Sequence, residues 1–204
     1  MKAALILGLL GLIISSGLLN GCKKTPLEPT ESGAADSAQS TTAEKIDLPG
    51  SGNLYKVSDT LYRGEQPTSE GFKELEKLGI KTVVNLRSLH SDRDKLKGTA
   101  LAYEHIRMEA WDPEQDEIEQ FLKIVTDPTK QPVFVHCLHG ADRTGTMVAI
   151  YRIVVEGWDK EKALEEMKNG PFGFHEMFKG LPKFIEELDV EKLREEFGHS
   201  TPGG

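Results

Sequence analysis

Four short stretches of the chain alternate apolar and polar residues or concentrate β-branched ones, as β-strands do. Proline, glycine and polar residues bound these stretches. The predicted strands lie within residues 53–67, 80–87, 101–108 and 131–137.

Helical periodicity occupies the segments between and after these strands. Behind Pro113, for example, Ile118, Phe121, Leu122 and Val125 recur at the spacing of one helical face. Polar capping residues and terminal glycines mark other helix ends. The predicted helices lie within residues 68–79, 113–127, 144–155, 159–170 and 181–197.

The alternation of strand and helix predicts an α/β domain over residues 53–195, with a central, mostly parallel sheet flanked by helices. The polar segment 90–100 predicts a surface loop, and residues 196–204 a disordered tail. In such sheets ligands bind beyond the carboxyl ends of the strands. Cys137 follows the last predicted strand directly and therefore stands where a site is expected.

The N-terminal segment has a different character. A single charge, Lys2, precedes an apolar run, as in a secretory signal peptide. The run ends in LLNGC at Cys22, which resembles a bacterial lipobox and implies that residues 1–21 are removed and Cys22 is lipidated. An uncleaved membrane anchor is the alternative, because the apolar run nearly reaches the length of a span. Residues 22–52 contain few large apolar side chains and predict a flexible tether.

These features predict an exported lipoprotein of the cell envelope, in the periplasm or outer membrane, or on the outer face of a single membrane. The formal net charge of −8 argues against a general nucleic-acid binder, which would need a basic face. Cys22 and Cys137 are the only cysteines among the 204 residues. If lipid occupies the first, the second cannot form an internal disulfide, which favours a functional thiol over an inert buried one.

The decapeptide HCLHGADRTG, residues 136–145, has the composition of an anion-binding loop. A loop between a strand and a helix can point successive backbone N–H groups inward, and the helix dipole adds to their positive potential. Gly140 permits close backbone approach, and the planar guanidinium of Arg143 matches two phosphate oxygens. Cys137 among these donors is favoured as a thiolate, a nucleophile able to attack phosphorus.

Two other interpretations of this loop fail on spacing. A P-loop requires G-x4-G-K-[ST], and the chain contains no such run. His136, Cys137 and His139 are too crowded to form a structural zinc site without distant partners. We therefore expect neither a metal nor a cofactor.

The run H-C-x5-R-T resembles the signature of the cysteine-dependent protein tyrosine phosphatases. Its surroundings are most similar to the compact dual-specificity branch, particularly exported bacterial members. Residues 61–67, 79–87, 139–158 and 170–175 carry this similarity, which extends over about residues 53–190.

The resemblance implies a role for each residue of the loop. Cys137 would be the nucleophile, Arg143 the clamp on the phosphoryl group, and Thr144 the hydroxyl that stabilises the leaving thiolate. His136 would order the loop by hydrogen bonds. The phosphate oxygens would lie against the backbone N–H groups of Leu138, His139, Gly140, Ala141, Asp142 and Arg143.

The general acid, which protonates the leaving oxygen, would lie on a separate upstream loop. Within MEAWDPEQDE, Asp112 has the family's usual chemistry and precedes Pro113, whereas Glu109 is nearer the end of the predicted strand. Asp112 is the first candidate and Glu109 its rival. Asp116 and Glu117 are expected to stabilise the start of the helix.

For several other side chains we expect ordinary structural roles. Arg63 and Arg87 could face the site, but an arginine after a strand is more often a surface ion-pair partner, and that is the role we expect for both. His175 and the neighbouring phenylalanines Phe172, Phe174 and Phe178 are expected to pack in the core or in a lid.

The substrate follows only in part from these residues. Asp142 and the absence of lysine in the loop disfavour inositol polyphosphates. The preferred substrate hypothesis is phosphotyrosine on envelope proteins. Phosphoserine or phosphothreonine, small phosphate esters and phosphoinositides are the alternatives. A surface lipoprotein that binds phosphate without catalysis is the rival class, although it would not need the thiol.

Overall fold

The computed structural model describes residues 42–198 and places six strands in one sheet. The strands are β1 (Glu44–Lys45), β2 (Tyr55–Lys56), β3 (Leu61–Gly64), β4 (Thr82–Arg87), β5 (Ala102–Met108) and β6 (Val133–His136). Their order across the sheet is β1-β2-β3-β6-β4-β5. The pairs β3–β6, β6–β4 and β4–β5 are parallel, and β1–β2 and β2–β3 are antiparallel. The predicted α/β class with a mostly parallel sheet is confirmed, and the antiparallel edge makes the sheet a mixed one.

Helices follow the strands at nearly the predicted positions. They are α1 (Ser69–Lys77), α2 (Gln115–Val125), α3 (Asp142–Val154), α4 (Lys160–Asn169), α5 (Gly180–Glu187) and α6 (Val190–Phe197), with a short 3-10 helix at Glu176–Phe178. The sequence pattern allowed Thr68 or Ser69 as the cap of α1, and the structure has Thr68, whose hydroxyl accepts the N–H of Gly71 at 3.1 Å. Helix α3 begins two residues earlier than the sequence predicted.

The sheet separates two apolar clusters, because successive strand residues face opposite sides. On β6, Val133 and Val135 join the larger cluster beneath α2 to α6, whereas Phe134 joins the smaller cluster beneath α1. Both faces of β6 are therefore covered, and all four of its residues are buried. This burial fixes the end of β6, where Cys137 lies.

The packed domain begins before residue 53, although the sequence predicted a flexible tether up to residue 52. Strand β1 pairs with β2, and the N–H of Ile46 donates to the carbonyl of Leu54 at 2.9 Å. Ser51 is buried. Residues 44–52 therefore belong to the domain through backbone pairing, which their polar composition did not reveal. At the other end, Phe197 is buried in the larger cluster, so the helical part extends beyond the predicted limit of 195.

Three sequence predictions concern parts of the chain outside residues 42–198. They are the signal peptide over 1–21 with the lipidation of Cys22, the tether as far as residue 41, and most of the tail. Within the described residues, no helix is both long and apolar enough to cross a membrane.

Helix α2 begins with a buried carboxylate, which makes the stability of the fold depend on pH. Glu117 accepts the N–H of Glu114 at 2.9 Å, the helix-start role expected from the sequence. Burial raises the pKa of Glu117 from 4.5 to about 7, and the carboxylates of Glu114, Asp116 and Asp112 add to the rise. A raised acid pKa means that the protonated side chain favours folding. Its contribution is complete below pH 4.5 and is lost as the pH rises to about 7.

We therefore expect Glu117→Gln to stabilise the protein at pH 8 by up to about 3 kcal/mol and to have little effect at pH 4.5. The amide oxygen of glutamine can still accept the Glu114 N–H, and its side chain stays neutral. Urea denaturation at pH 4.5, 6 and 8 measures the difference. Glu119→Gln, on the same helix, is the control. A difference between Glu117→Gln and the wild type that does not vary with pH would contradict this prediction.

Candidate active site

The loop that joins β6 to α3 has the form of an anion cradle. Three successive carbonyl oxygens turn away from it: Leu138 accepts the N–H of Gln66 at 3.2 Å, His139 accepts Asn53 Nδ2 at 2.9 Å, and Gly140 accepts Arg63 Nη2 at 2.8 Å. In a trans peptide the C=O and the following N–H point in opposite directions. The N–H groups of residues 139–141 therefore point to the other side. Within residues 42–198 they donate to no acceptor.

Gly140 allows this loop to lie against the end of β3. Its φ is +70°, in the left-handed region that favours glycine. A Cβ atom there would lie 2.4 Å from the carbonyl carbon and oxygen of Gly64. Because the obstructing atoms are backbone, no rotamer change could relieve the clash, and a larger residue would push the loop off β3.

Arg63 lies beneath the cradle rather than on the surface, so the prediction of a surface ion pair is wrong. The side chain is 1% exposed, and its guanidinium stacks 3.8 Å above the ring of Phe172. Burial lowers the pKa of Arg63 to about 10, while the negative charges of Glu166 and Cys137 act in the opposite direction. The guanidinium therefore supplies a buried positive charge within electrostatic reach of Cys137.

His136 is held at both ring nitrogens. Nε2 lies 2.9 Å from the carboxylate of Asp92, and Nδ1 lies 3.1 Å from the carbonyl oxygen of Cys137. His136 and Asp92 are both fully buried, and Phe134 stacks on the histidine ring. The ordering role expected of His136 is supported by this geometry. The sequence did not reveal Asp92, which lies in the segment 90–100 predicted as a surface loop.

Two arginines line the pocket, Arg87 and Arg143. Arg143 Nη1 donates to the carbonyls of Leu86 at 3.3 Å and Met108 at 3.2 Å, at the carboxyl ends of β4 and β5. Arg87 Nη1 donates to Gln66 Oε1. Burial lowers the pKa of Arg87, and the positive charge of Arg143 lowers it further. An anion bound between the two guanidinium groups would relieve this repulsion, which makes the pair suited to a phosphate.

Thr144 lies in the first turn of α3, directly after Arg143. Its side chain is fully buried, yet its hydroxyl has no hydrogen-bond partner within residues 42–198. A buried hydroxyl without a partner is costly in a folded protein. This hydroxyl is thus free to donate, and the role that the resemblance implies for Thr144 stays a prediction.

Cys137, Leu138, His139, Arg87 and Arg143 line a pocket of about 380 Å³ at the carboxyl ends of the parallel strands. Cys137 is 2% exposed, whereas Leu89, Trp111 and Met177 on the pocket wall are at least 72% exposed. The nucleophile candidate therefore lies low in the pocket, and large apolar side chains surround it.

The structure separates the two candidates for the general acid. Glu109 is half-buried and lines the pocket beside Ala110 and Trp111. Asp112 is exposed and is not part of the pocket wall. Its charge instead acts on Glu117 at the start of α2.

A second cluster on the pocket wall joins the loop to a segment much later in the chain. Asp142, buried at the start of α3, accepts the backbone N–H of His175 at 2.9 Å and lies 2.9 Å from Nδ1 of that histidine. The rings of His139 and His175 have centroids 5.4 Å apart. The packing role predicted for His175 is therefore incomplete, because this histidine also contacts the loop and lines the pocket.

Comparisons with known proteins agree with this geometry. Residues 50–179 match the family described as DSP-PTPase phosphatase fused to NAD+ kinase. The chain is 35% identical over 187 residues to the dual specificity protein phosphatase TpbA of Pseudomonas aeruginosa, covering 91% of this chain and 82% of that protein. The inositol diphosphatase DSP5 of Arabidopsis thaliana is 30% identical over 159 residues, covering 70% and 72%.

A crystal structure of a cysteine-to-serine variant of TpbA in complex with phosphotyrosine has a TM-score of 0.69 to this fold. The two chains are 33% identical, and the alignment covers 78% of this chain and 98% of that one.

Proposed function

This chain belongs to the dual-specificity-type protein phosphatases, and from that premise we propose that it hydrolyses phosphotyrosine on proteins through a phosphocysteine intermediate. The observation that carries the proposal is the cradle itself. Three outward carbonyls leave three inward N–H groups beside Cys137, with Arg143 on the same pocket wall. A phosphate monoester bound there would place its phosphorus next to the thiolate.

The first chemical step is a displacement at phosphorus. The Cys137 thiolate attacks, a P–S bond forms, and the P–O bond to the leaving group breaks. The backbone N–H groups and Arg143 stabilise the charge on the equatorial oxygens without a metal ion. The leaving oxygen takes a proton from a general acid.

The second step returns the enzyme to its starting state. A water molecule gives its proton to the conjugate base of the general acid and attacks phosphorus. The P–S bond breaks, inorganic phosphate leaves, and the Thr144 hydroxyl donates to the departing thiolate. The buried guanidinium of Arg63 stabilises the same negative charge from below the loop.

The pocket position favours Glu109 as the general acid over Asp112, the first candidate from the sequence. A proton donor must reach the leaving oxygen, and Glu109 lines the pocket that holds Cys137. We expect Glu109→Gln to lower kcat on a phosphotyrosine peptide by about 100-fold and to abolish the basic limb of the pH–rate profile.

Asp112→Asn is the matched control, because it also replaces a carboxylate by its amide, three residues further along the loop. We expect it to keep both limbs of the profile and kcat close to the wild-type value. The assignment is overturned if Asp112→Asn loses the basic limb and Glu109→Gln retains it.

The apolar rim supports an aromatic phosphate ester as the substrate. Leu89, Trp111, Leu138 and Met177 are exposed around a nucleophile that is almost fully buried. A tyrosine ring can contact such side chains while its phosphate extends down to Cys137. Phosphoserine has a shorter side chain, so its phosphate would reach Cys137 only if the peptide backbone entered the mouth of the pocket. The TpbA complex shows that a relative binds phosphotyrosine.

We expect kcat/KM to be at least about tenfold higher for a phosphotyrosine peptide than for its phosphoserine counterpart, in the presence of EDTA. p-Nitrophenyl phosphate represents small phosphate esters in the same comparison. A diphosphoinositol phosphate provides a further arm, because an inositol diphosphatase is also a relative. A higher kcat/KM on the inositol compound than on the peptides would overturn the protein substrate. Phosphopeptide binding without turnover on any arm would favour a binding protein over an enzyme.

The N-terminal segment supports a location in the cell envelope. We propose that Cys22 carries the lipid that holds this phosphatase at a membrane, with its substrates outside the cytoplasm. Metabolic labelling with a palmitate analogue tests the proposal: the full chain is expected to incorporate the label, and Cys22→Ala to lose it. Equal labelling of the two proteins would contradict the lipid anchor.

A further inference from the structure

We propose that His139, Asp142 and His175 form a binding site for a divalent cation of the zinc class, and that an ion bound there blocks the catalytic pocket. The proposal goes beyond the phosphatase reaction, since binding at these side chains needs no turnover. A zinc site formed by His136, Cys137 and His139 was rejected above because these residues are too close together in the sequence. The fold supplies the two ligands, Asp142 and His175, that the sequence arrangement lacked.

The donor set is chemically suited to such an ion. One atom from each of the three side chains lies within 4.8 Å of the other two. Two imidazole nitrogens and one carboxylate oxygen are the ligand types that zinc takes in three-residue sites, where the fourth position remains open. Magnesium and calcium, in contrast, prefer oxygen ligands alone.

Part of the geometry is already in place. Asp142 Oδ2 and His175 Nδ1 lie 2.9 Å apart. At metal–ligand distances of about 2.1 Å, this separation corresponds to an angle of about 90° at the metal. Ligands in a tetrahedral site lie about 3.4 Å apart, so the exposed His139 ring would have to move toward the pair by about 1 to 2 Å.

The three side chains differ in how firmly they are held. Asp142 is buried at the start of α3, and the backbone N–H of His175 fixes its Oδ1 at 2.9 Å. A hydrogen bond of this kind orients a metal-binding carboxylate. His139 makes no side-chain hydrogen bond within residues 42–198, and neither does His175 Nε2. The His139 ring can therefore turn to an ion without breaking a hydrogen bond, whereas at His175 the ion would replace the hydrogen bond between Nδ1 and Asp142.

The charge of the pocket does not oppose a cation. The positive charges of Arg87 and Arg143 are balanced by the Asp142 carboxylate and the attacking thiolate of Cys137, and Glu109 adds a negative charge only after it has given up its proton. All three proposed ligands line the pocket that also contains Cys137 and Arg143. An ion bound to them would occupy the route of the phosphoryl group and attract the thiolate.

Calorimetric titration of Cys137→Ser with zinc chloride tests the binding independently of catalysis. The variant is expected to bind one zinc ion, and Co²⁺ is expected to give the intense visible absorption of a four-coordinate nitrogen and oxygen site. In the Cys137→Ser background, His175→Gln and His139→Gln are each expected to weaken binding at least tenfold. His90→Gln replaces another exposed histidine of the same pocket wall and is expected to change nothing.

Three results would overturn the site. They are no zinc binding by Cys137→Ser, unchanged affinity in both His175→Gln and His139→Gln, and an equal loss in His90→Gln. Thermal melting of each variant without metal shows whether it is folded. Because His139 and His175 are both exposed, neither substitution removes a core side chain.

The second part of the proposal, that a bound ion inhibits catalysis, is tested on the active enzyme. Turnover of p-nitrophenyl phosphate is expected to fall in step with zinc occupancy and to return when EDTA is added. The inhibition constant is expected to rise at least tenfold in His175→Gln and not in His90→Gln. Binding of zinc without loss of turnover would overturn this part alone. Absence of turnover without zinc would contradict the proposed phosphatase activity and leave the calorimetric result intact.

Discussion

Cys137→Ser is expected to lose turnover by on the order of 10⁴-fold or more while keeping the fold and the affinity for phosphotyrosine peptides. A serine hydroxyl is not ionised near neutral pH, so it cannot replace the thiolate as the attacking group. The two side chains are nearly the same size, and the inward N–H groups of residues 139–141 remain in place. The variant therefore separates binding from chemistry.

Steady-state kinetics on a phosphotyrosine peptide and calorimetry with the same peptide provide the two measurements. Quenched-flow trapping of the wild type with ³²P-labelled peptide is expected to give an acid-stable protein adduct that Cys137→Ser lacks. Turnover by the serine variant within tenfold of wild type would show that another residue is the nucleophile. Loss of peptide binding together with turnover would show that the substitution had disturbed the cradle.

Local sequence signals predicted the elements that carry this chemistry. The β-branched run of β4 and the residues before Cys137 in β6 are short, buried strands, and Thr68 is one of the two residues that the pattern allowed as a cap. The contact that makes Thr68 a cap lies three residues away, and the two strands are recognisable from their own side chains although they pair with distant parts of the chain. The place of Cys137 at the end of a parallel strand followed from element order alone.

Long-range contacts explain what the sequence could not provide. Asp92 contacts His136 across 44 residues, and Arg63 reaches Gly140 across 77. Each of these charged side chains lies in a segment whose local composition indicates exposure. Only a specific partner makes their burial tolerable, and periodicity carries no signal for a partner so far away.

The sequence could not decide between Glu109 and Asp112 for a related reason. Both carboxylates lie in one short connection between β5 and α2, and residue type favoured aspartate. Which side chain faces the pocket depends on how the chain turns after Met108, whose carbonyl Arg143 holds. A three-residue difference within a turn reverses the direction of a side chain, and a single sequence does not encode that direction in any periodic pattern.

Arg143→Lys is expected to lower kcat/KM by about 10³-fold, the second largest effect we predict. The guanidinium of Arg143 is already oriented by the carbonyls of Leu86 and Met108, which leaves its remaining N–H groups for two phosphate oxygens. Lysine carries the same charge on a single nitrogen. It cannot donate to the two strand carbonyls and to two phosphate oxygens in one plane at the same time. Loss of charge-assisted hydrogen bonds worth about 1.5–3 kcal/mol each accounts for a change of this size.

Arg87→Lys is the matched control, because it makes the same substitution at the other arginine of the pocket lining. Its guanidinium is bonded to the side chain of Gln66 rather than to strand carbonyls, and we expect a loss of no more than about tenfold. If the positive charge alone stabilised the transition state, Arg143→Lys would retain most of the activity. If Arg87→Lys proved the more damaging change, the clamp would lie on β4 and the role assigned to the loop arginine would be wrong. A large loss in Arg143→Lys alone, concentrated in kcat, is the result that requires a planar group held at this point and engaged in the transition state.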